Sequence, residues 1–249
     1  MSVYEVVSKL PGIETVRARS QAMAMLDAIL CPEWSYRLFS FDRLWPPTES
    51  LASMRDGSGN DYSIVFSSAG AYARSFDHES PMTPWRSEPL EVWPGLFETV
   101  PSVFRSLVEE PAFCEADGVP RATACFWRQP SDDAWSTGPL ELPVEEHEEV
   151  DGTGWMFEVL VGGTADEYQK FAEDYYEVAL DITAIRHIYD LKPLTQEIVS
   201  ALNPDVDLAH LTEDVTQIGY PGYPAAAQAL PGHRAGAAVP PVSLAHTLG

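Results

Sequence analysis

Cations are scarce in this chain: 15 lysines and arginines stand against 38 aspartates and glutamates, for a net charge of −23 over 249 residues. So acidic a chain lacks the basic surface through which phosphate attraction supplies most nucleic-acid affinity, and an anionic membrane repels it for the same reason. Cysteine is equally sparse. Cys31, Cys114 and Cys125 are odd in number and widely spaced, which supports neither a disulfide framework nor a cysteine-rich zinc site. Long apolar runs are missing: Asp27 interrupts 22–30 and Glu158 interrupts 155–161, well short of the roughly 18 residues a membrane span needs. Residues 1–12 hold one basic residue, Lys9, and no stretch of signal-peptide character, and a C-terminal lipidation cysteine is absent. A soluble, cytoplasmic chain is expected.

Signatures of cofactor and catalytic sites are absent as well. The histidines at 78, 147, 187, 210, 233 and 246 show no His-Glu-x-x-His spacing, and no Cys-x-x-Cys accompanies them. Residues 56–60 begin like a calcium loop, but Asp61 stands where glycine is required and Ser67 where a bidentate glutamate is required. Neither phosphate-binding glycine motif occurs, nor does the Gly-x-Ser-x-Gly elbow. No cofactor and no metal ion are expected.

What is present is a 45% apolar chain able to bury a core. Its excess charge is concentrated. Residues 132–181 carry 15 acidic side chains and one lysine, Lys170, and the densest run is Glu145, Glu146, His147, Glu148, Glu149, Val150, Asp151. Such a run is either a solvated loop or a docking face for a basic partner. Adaptation to high salt is a third reading, which the uneven placement opposes. From 220 to 249 the composition turns to Ala, Pro and Gly, with Arg234 the one charged residue, and a mobile tail is expected.

Periodicity predicts a single α+β domain over 1–219: an antiparallel β-meander packed with helices, and a helical C-terminal third. Val16, Met23, Leu26 and Leu30 share one face of a helix that Pro32 stops. Strands are predicted at 36–41, at 62–66 in half-buried alternation, and at 72–76, 122–128 and 155–161. A helix with Pro101 in its first turn is expected to bury Val103, Phe104, Leu107 and Val108. Thr164, Ala165, Asp166 and Glu167 form a capping box, followed by a stripe of Tyr168, Phe171 and Tyr175. Helices at 182–191, 195–202 and 208–218 follow, the first and third capped by Asp181 and Asp207.

Two polar groups stand out. At a strand end, His78 lies between Asp77 and Glu79, an arrangement that suits a general acid or base in a cleft beside Trp85 and Trp93. Its structural reading is a turn in which Asp77 and Ser80 bond the backbone before Pro81. Among acids at a helix end, Tyr176 is expected to face solvent while Tyr175 is buried. An exposed tyrosine ringed by carboxylates suits an arginine-bearing partner.

Residues 58–66 (Ser-Gly-Asn-Asp-Tyr-Ser-Ile-Val-Phe), then Gly70 and 76–81 (Phe-Asp-His-Glu-Ser-Pro), resemble uncharacterised bacterial α+β proteins, some of which are similar to acidic immunity proteins that neutralise toxins. The resemblance spans 36–219, brings no catalytic residue, and implies a binding protein whose acidic surface masks a basic site. The leading expectation is thus a non-enzymatic acidic binding protein with a basic protein partner, contacted through Glu145, Glu146, Glu148, Glu149, Asp151 and Tyr176. The alternatives are a metal-independent enzyme using His78, Asp77 and Glu79, and a structural or scaffold protein.

Overall fold

The computed structural model describes residues 1–45, 48–143 and 150–221. Among these, one antiparallel sheet runs in chain order: β1 (Phe39–Asp42), β2 (Ser50–Arg55), β3 (Asp61–Ser67), β4 (Gly70–Phe76), β5 (Ala124–Arg128) and β6 (Ser136–Thr137). This is the expected α+β meander. Asp56 organises the β2–β3 turn, its carboxylate accepting the N–H groups of Ser58 at 2.8 Å and Asn60 at 3.0 Å. At the β3–β4 turn Gly70 has φ 123°, and a Cβ there would lie 2.1 Å from the carbonyl oxygen of Arg128, so only glycine lets β4 start this close to β5.

The predicted half-buried alternation is replaced by burial on both faces, since Tyr62 through Phe66 are all buried. Pairing explains it. Ala52, Ile64, Ala73 and Phe126 stand in register on one face, which helices cover: Phe157 stacks on Tyr62 at 4.4 Å and meets Phe126 edge-on. On the other face Val65, Tyr72 and Trp127 align, under the excursion between β4 and β5. There Phe104 packs on Tyr72, and Cys125 donates from Sγ to the Leu96 carbonyl. Asp61 bridges Arg74 and Arg121 inside this layer, and the Arg74 guanidinium lies over Phe113.

The helices are α1 (Val3–Lys9), α2 (Ile13–Leu30), α3 (Arg105–Val108), α4 (Thr153–Met156), α5 (Glu158–Gly162), α6 (Ala165–Tyr176), α7 (Ile182–Tyr189), α8 (Gln196–Leu202) and α9 (Thr212–Ile218). Helix α2 buries Val16, Met23 and Leu26 and stops at Cys31, before Pro32. Asp181 and Asp207 cap as expected, accepting from Thr183 and Ala209. The capping box at α6 forms, Thr164 accepting from the Glu167 N–H.

Several predicted elements are corrected. Residues 155–161 are helical, in α4 and α5, because Gly152 at φ 73° opens a helical turn and the apolar run buries Met156, Phe157, Val159 and Leu160 beneath the sheet. The first predicted strand shortens to β1, its beginning being a 3₁₀ turn over Trp34–Tyr36. Past Pro101 only a short 3₁₀ turn and α3 form, leaving Val103 exposed. Tyr220 belongs to the core, not the tail: it is buried, and its hydroxyl donates to the Lys192 carbonyl at 2.7 Å. The expected tail from 222 onward lies outside the described residues.

Candidate partner-binding face

The last turns of α2 place Asp27 in the interior, fully buried. Its carboxylate accepts the Phe39 N–H at 2.7 Å and the Tyr168 hydroxyl at 3.0 Å. One side chain thereby joins α2, the start of β1 and α6. The Tyr176 hydroxyl is buried nearby without a hydrogen bond of ordinary geometry. Burial pushes the Asp27 carboxyl up from 3.8 to about 6, against which the bonds from Phe39 and Tyr168 act.

Outside this buried carboxylate the chain turns through residues 32–36, all exposed. Trp34 is 53% and Tyr36 74% exposed. The turn is nonetheless held firmly: the Arg37 guanidinium donates to the carbonyls of Cys31 at 2.8 Å and Pro32 at 3.0 Å and pairs with Asp214. Leu38 accepts the Arg55 N–H at 2.9 Å, which continues the β1–β2 pairing by one residue. Tyr175 lies in the last turn of α6. It is 45% exposed, stacks on Phe171 with centroids 5.5 Å apart, and Phe171 meets Phe39 edge-on. Partial burial, then the charges of Asp27 and Asp56, push the Tyr175 hydroxyl up. Glu33, Asp174 and Glu177 are exposed around these rings.

The structure distributes the predicted site residues differently. Glu145, Glu146, Glu148 and Glu149 lie outside the described residues. Asp151 is not on the surface: it is buried, accepting the Val3 N–H at 2.8 Å and both the N–H and hydroxyl of Thr153, with burial pushing its pKa up. It ties α1 to α4. The tyrosines at the end of α6 exchange roles, since Tyr176 is half-buried toward Asp27 and Tyr175 faces solvent. Tyr36 falls within the strand predicted at 36–41, and the sequence pattern does not single out Trp34.

Asp77, His78 and Glu79 are brought together as a turn. Asp77 accepts the Glu79 N–H at 2.9 Å and the Trp155 indole N–H at 3.3 Å, and Ser80 accepts the Met82 N–H at 3.0 Å. Asn60 Oδ1 lies 2.7 Å from His78 Nδ1, while the Glu79 carboxylate stands 4.0 Å from Nε2 and is well exposed. An open depression beside Trp85 is lined by Arg86, Ser87, Glu88, Pro89, Leu90 and Asp117. His78 is not among the residues that line it.

Among the described residues no group of three or more His, Cys, Asp or Glu could hold a metal ion, and no helix is long and apolar enough to cross a membrane. Comparison with protein-family models, curated proteins and solved structures gave no match.

Proposed function

We propose that this chain is a non-enzymatic acidic binding protein that docks or masks a basic partner protein, as a toxin-immunity protein does. The observation that carries this reading is how the chain uses its few cations. Arg19, Arg37, Arg43, Arg74, Arg86, Arg105 and Arg128 all donate to main-chain carbonyls. Ion pairs with lysine or arginine go to Asp61, Asp166, Asp190 and Asp214 among the described residues. Most surface carboxylates among the described residues are left without a cation from their own chain, and a one-sign surface steers a basic protein in and rejects acidic ones. The reading includes a reducing cytoplasmic setting, in which the free cysteines remain thiols.

Affinity capture from host lysate at low and high salt tests it, with the wild type beside a variant carrying Glu145→Gln, Glu146→Gln, Glu148→Gln and Glu149→Gln. One basic protein, retained at low salt and lost both at high salt and with the variant, is the expected result. A capture that is empty at low salt, or indifferent to salt and substitution, overturns the proposal.

A further inference from the structure

We propose that the basic partner seats an arginine on Trp155 and the carboxylates of Asp77 and Glu79, beside the point where the acidic run is fastened to the fold. This rests on the acidic-binding reading and names its anchoring surface.

One carboxylate joins the parts. Asp77 accepts the Trp155 indole N–H at 3.3 Å through one oxygen and the Glu79 N–H at 2.9 Å through the other. Its main-chain N–H donates to Thr123 Oγ1 at 3.2 Å. A Cβ on Gly152 would lie 2.4 Å from the Asp77 Cβ, so glycine lets this turn press against the opening of α4. Asn60 Oδ1 holds the next residue, accepting the His78 N–H at 2.9 Å. The indole and the Asp77 carboxylate are thus fixed before a ligand arrives, and little freedom is lost when one settles there.

The same turn carries the end of the acidic run. Ser80 Oγ donates to the Val150 carbonyl at 2.6 Å. Thr123 Oγ1, which accepts from Asp77, donates to the Asp151 carbonyl at 2.9 Å. A basic segment attracted to the run therefore reaches Trp155, the one exposed residue from 150 to 157.

Charge and shape select the occupant. Trp155 is 38% exposed and the Glu79 side chain 85% exposed. Neither Asp77 nor Glu79 pairs with a lysine or arginine among the described residues. A purely apolar partner would leave these carboxylates desolvated and unmatched, and an acidic one would be repelled. A guanidinium satisfies both components: its flat face stacks on the indole while its edge donates two parallel bonds to Glu79. Lysine offers the same charge as a compact, strongly hydrated ammonium that stacks less well.

The test titrates deca-arginine and deca-lysine peptides against the full chain at physiological ionic strength. Anisotropy of labelled peptide gives the affinities. The indole N–H signals of the seven tryptophans, recorded by ¹H–¹⁵N NMR, give the location, with that of Trp155 assigned by its loss in Trp155→Phe. Deca-arginine should shift the Trp155 signal saturably and more than any other indole signal, and deca-lysine should shift it much less. One stacked guanidinium predicts that Trp155→Ala weakens deca-arginine about two- to fivefold and deca-lysine less than twofold. Glu79→Gln, at a side chain exposed enough to leave the thermal midpoint unchanged, should also weaken deca-arginine more than deca-lysine. A Trp155 signal that stays still while deca-arginine binds, or that responds equally to both peptides, overturns the proposed anchor. In that case the acidic-binding reading still stands if salt and the Glu145–Glu149 variant weaken both peptides. If neither peptide responds to that variant or to salt, the acidic-binding reading fails too.

Discussion

Replacing Asp27 with asparagine isolates the cost of an ionised carboxylate in the core. The asparagine is nearly the same shape, but the Phe39 N–H and the Tyr168 hydroxyl bond different oxygens of Asp27, at 2.7 and 3.0 Å. With the amide oxygen kept for Phe39, the amide N–H₂ faces Tyr168, whose hydroxyl oxygen then accepts instead of donating. A carboxyl raised from 3.8 to about 6 on folding holds its proton more tightly in the folded state. The stability it supports is therefore complete below about pH 3.8 and is lost as pH rises through about 6, a difference of about 3 kcal/mol. Urea unfolding followed by tryptophan fluorescence, from pH 3.5 to 7.5, gives the unfolding free energies of both proteins. Titrations common to both cancel in the difference. Wild type minus Asp27→Asn should fall by about 3 kcal/mol across that range, most steeply between pH 4 and 6. A flat difference would refute the linkage, and a rising one would mean that the hydrogen bonds from Phe39 and Tyr168 outweigh burial.

Gly70→Ala should destabilise the fold by at least about 2 kcal/mol in the same assay, because the new Cβ meets the Arg128 carbonyl at a positive φ; an unchanged midpoint would mean β4 and β5 separate easily there. Thr164→Ala removes the acceptor for the Glu167 N–H and should cost about 1 kcal/mol. Rescue by Thr164→Ser, which restores a hydroxyl, identifies the cap as the cause.

Local chemistry was readable in the sequence where neighbours in the chain determine the outcome. The α6 capping box, the Asp181 and Asp207 caps and the stop at Pro32 each involve residues within a few positions of one another. Readings failed where the deciding partner is distant. Residues 155–161 look like a strand because an apolar run with Val and Trp does not reveal whether a sheet or a helix buries it; the answer lies with Tyr62 and Phe126, against which Phe157 packs. The α6 stripe predicted Tyr175 as the inner ring, yet Asp27, from a helix about 150 residues earlier, draws Tyr176 inward and leaves Tyr175 outside. Asp151 sits at the end of an acidic run and reads as surface, but the Val3 N–H, 148 residues away in sequence, takes it into the interior.

Under the proposed function, uncompensated carboxylates draw a basic protein onto this chain. Its most direct test is the association rate of the captured partner, measured by stopped-flow fluorescence as ionic strength rises from about 20 to 500 mM, a range over which the Debye length falls from roughly 20 Å to about 4 Å. The account predicts an association rate that drops by at least tenfold across that range, with dissociation changing much less. An association rate that stays constant would contradict it, because a surface that attracts by charge cannot lose its field without losing its speed.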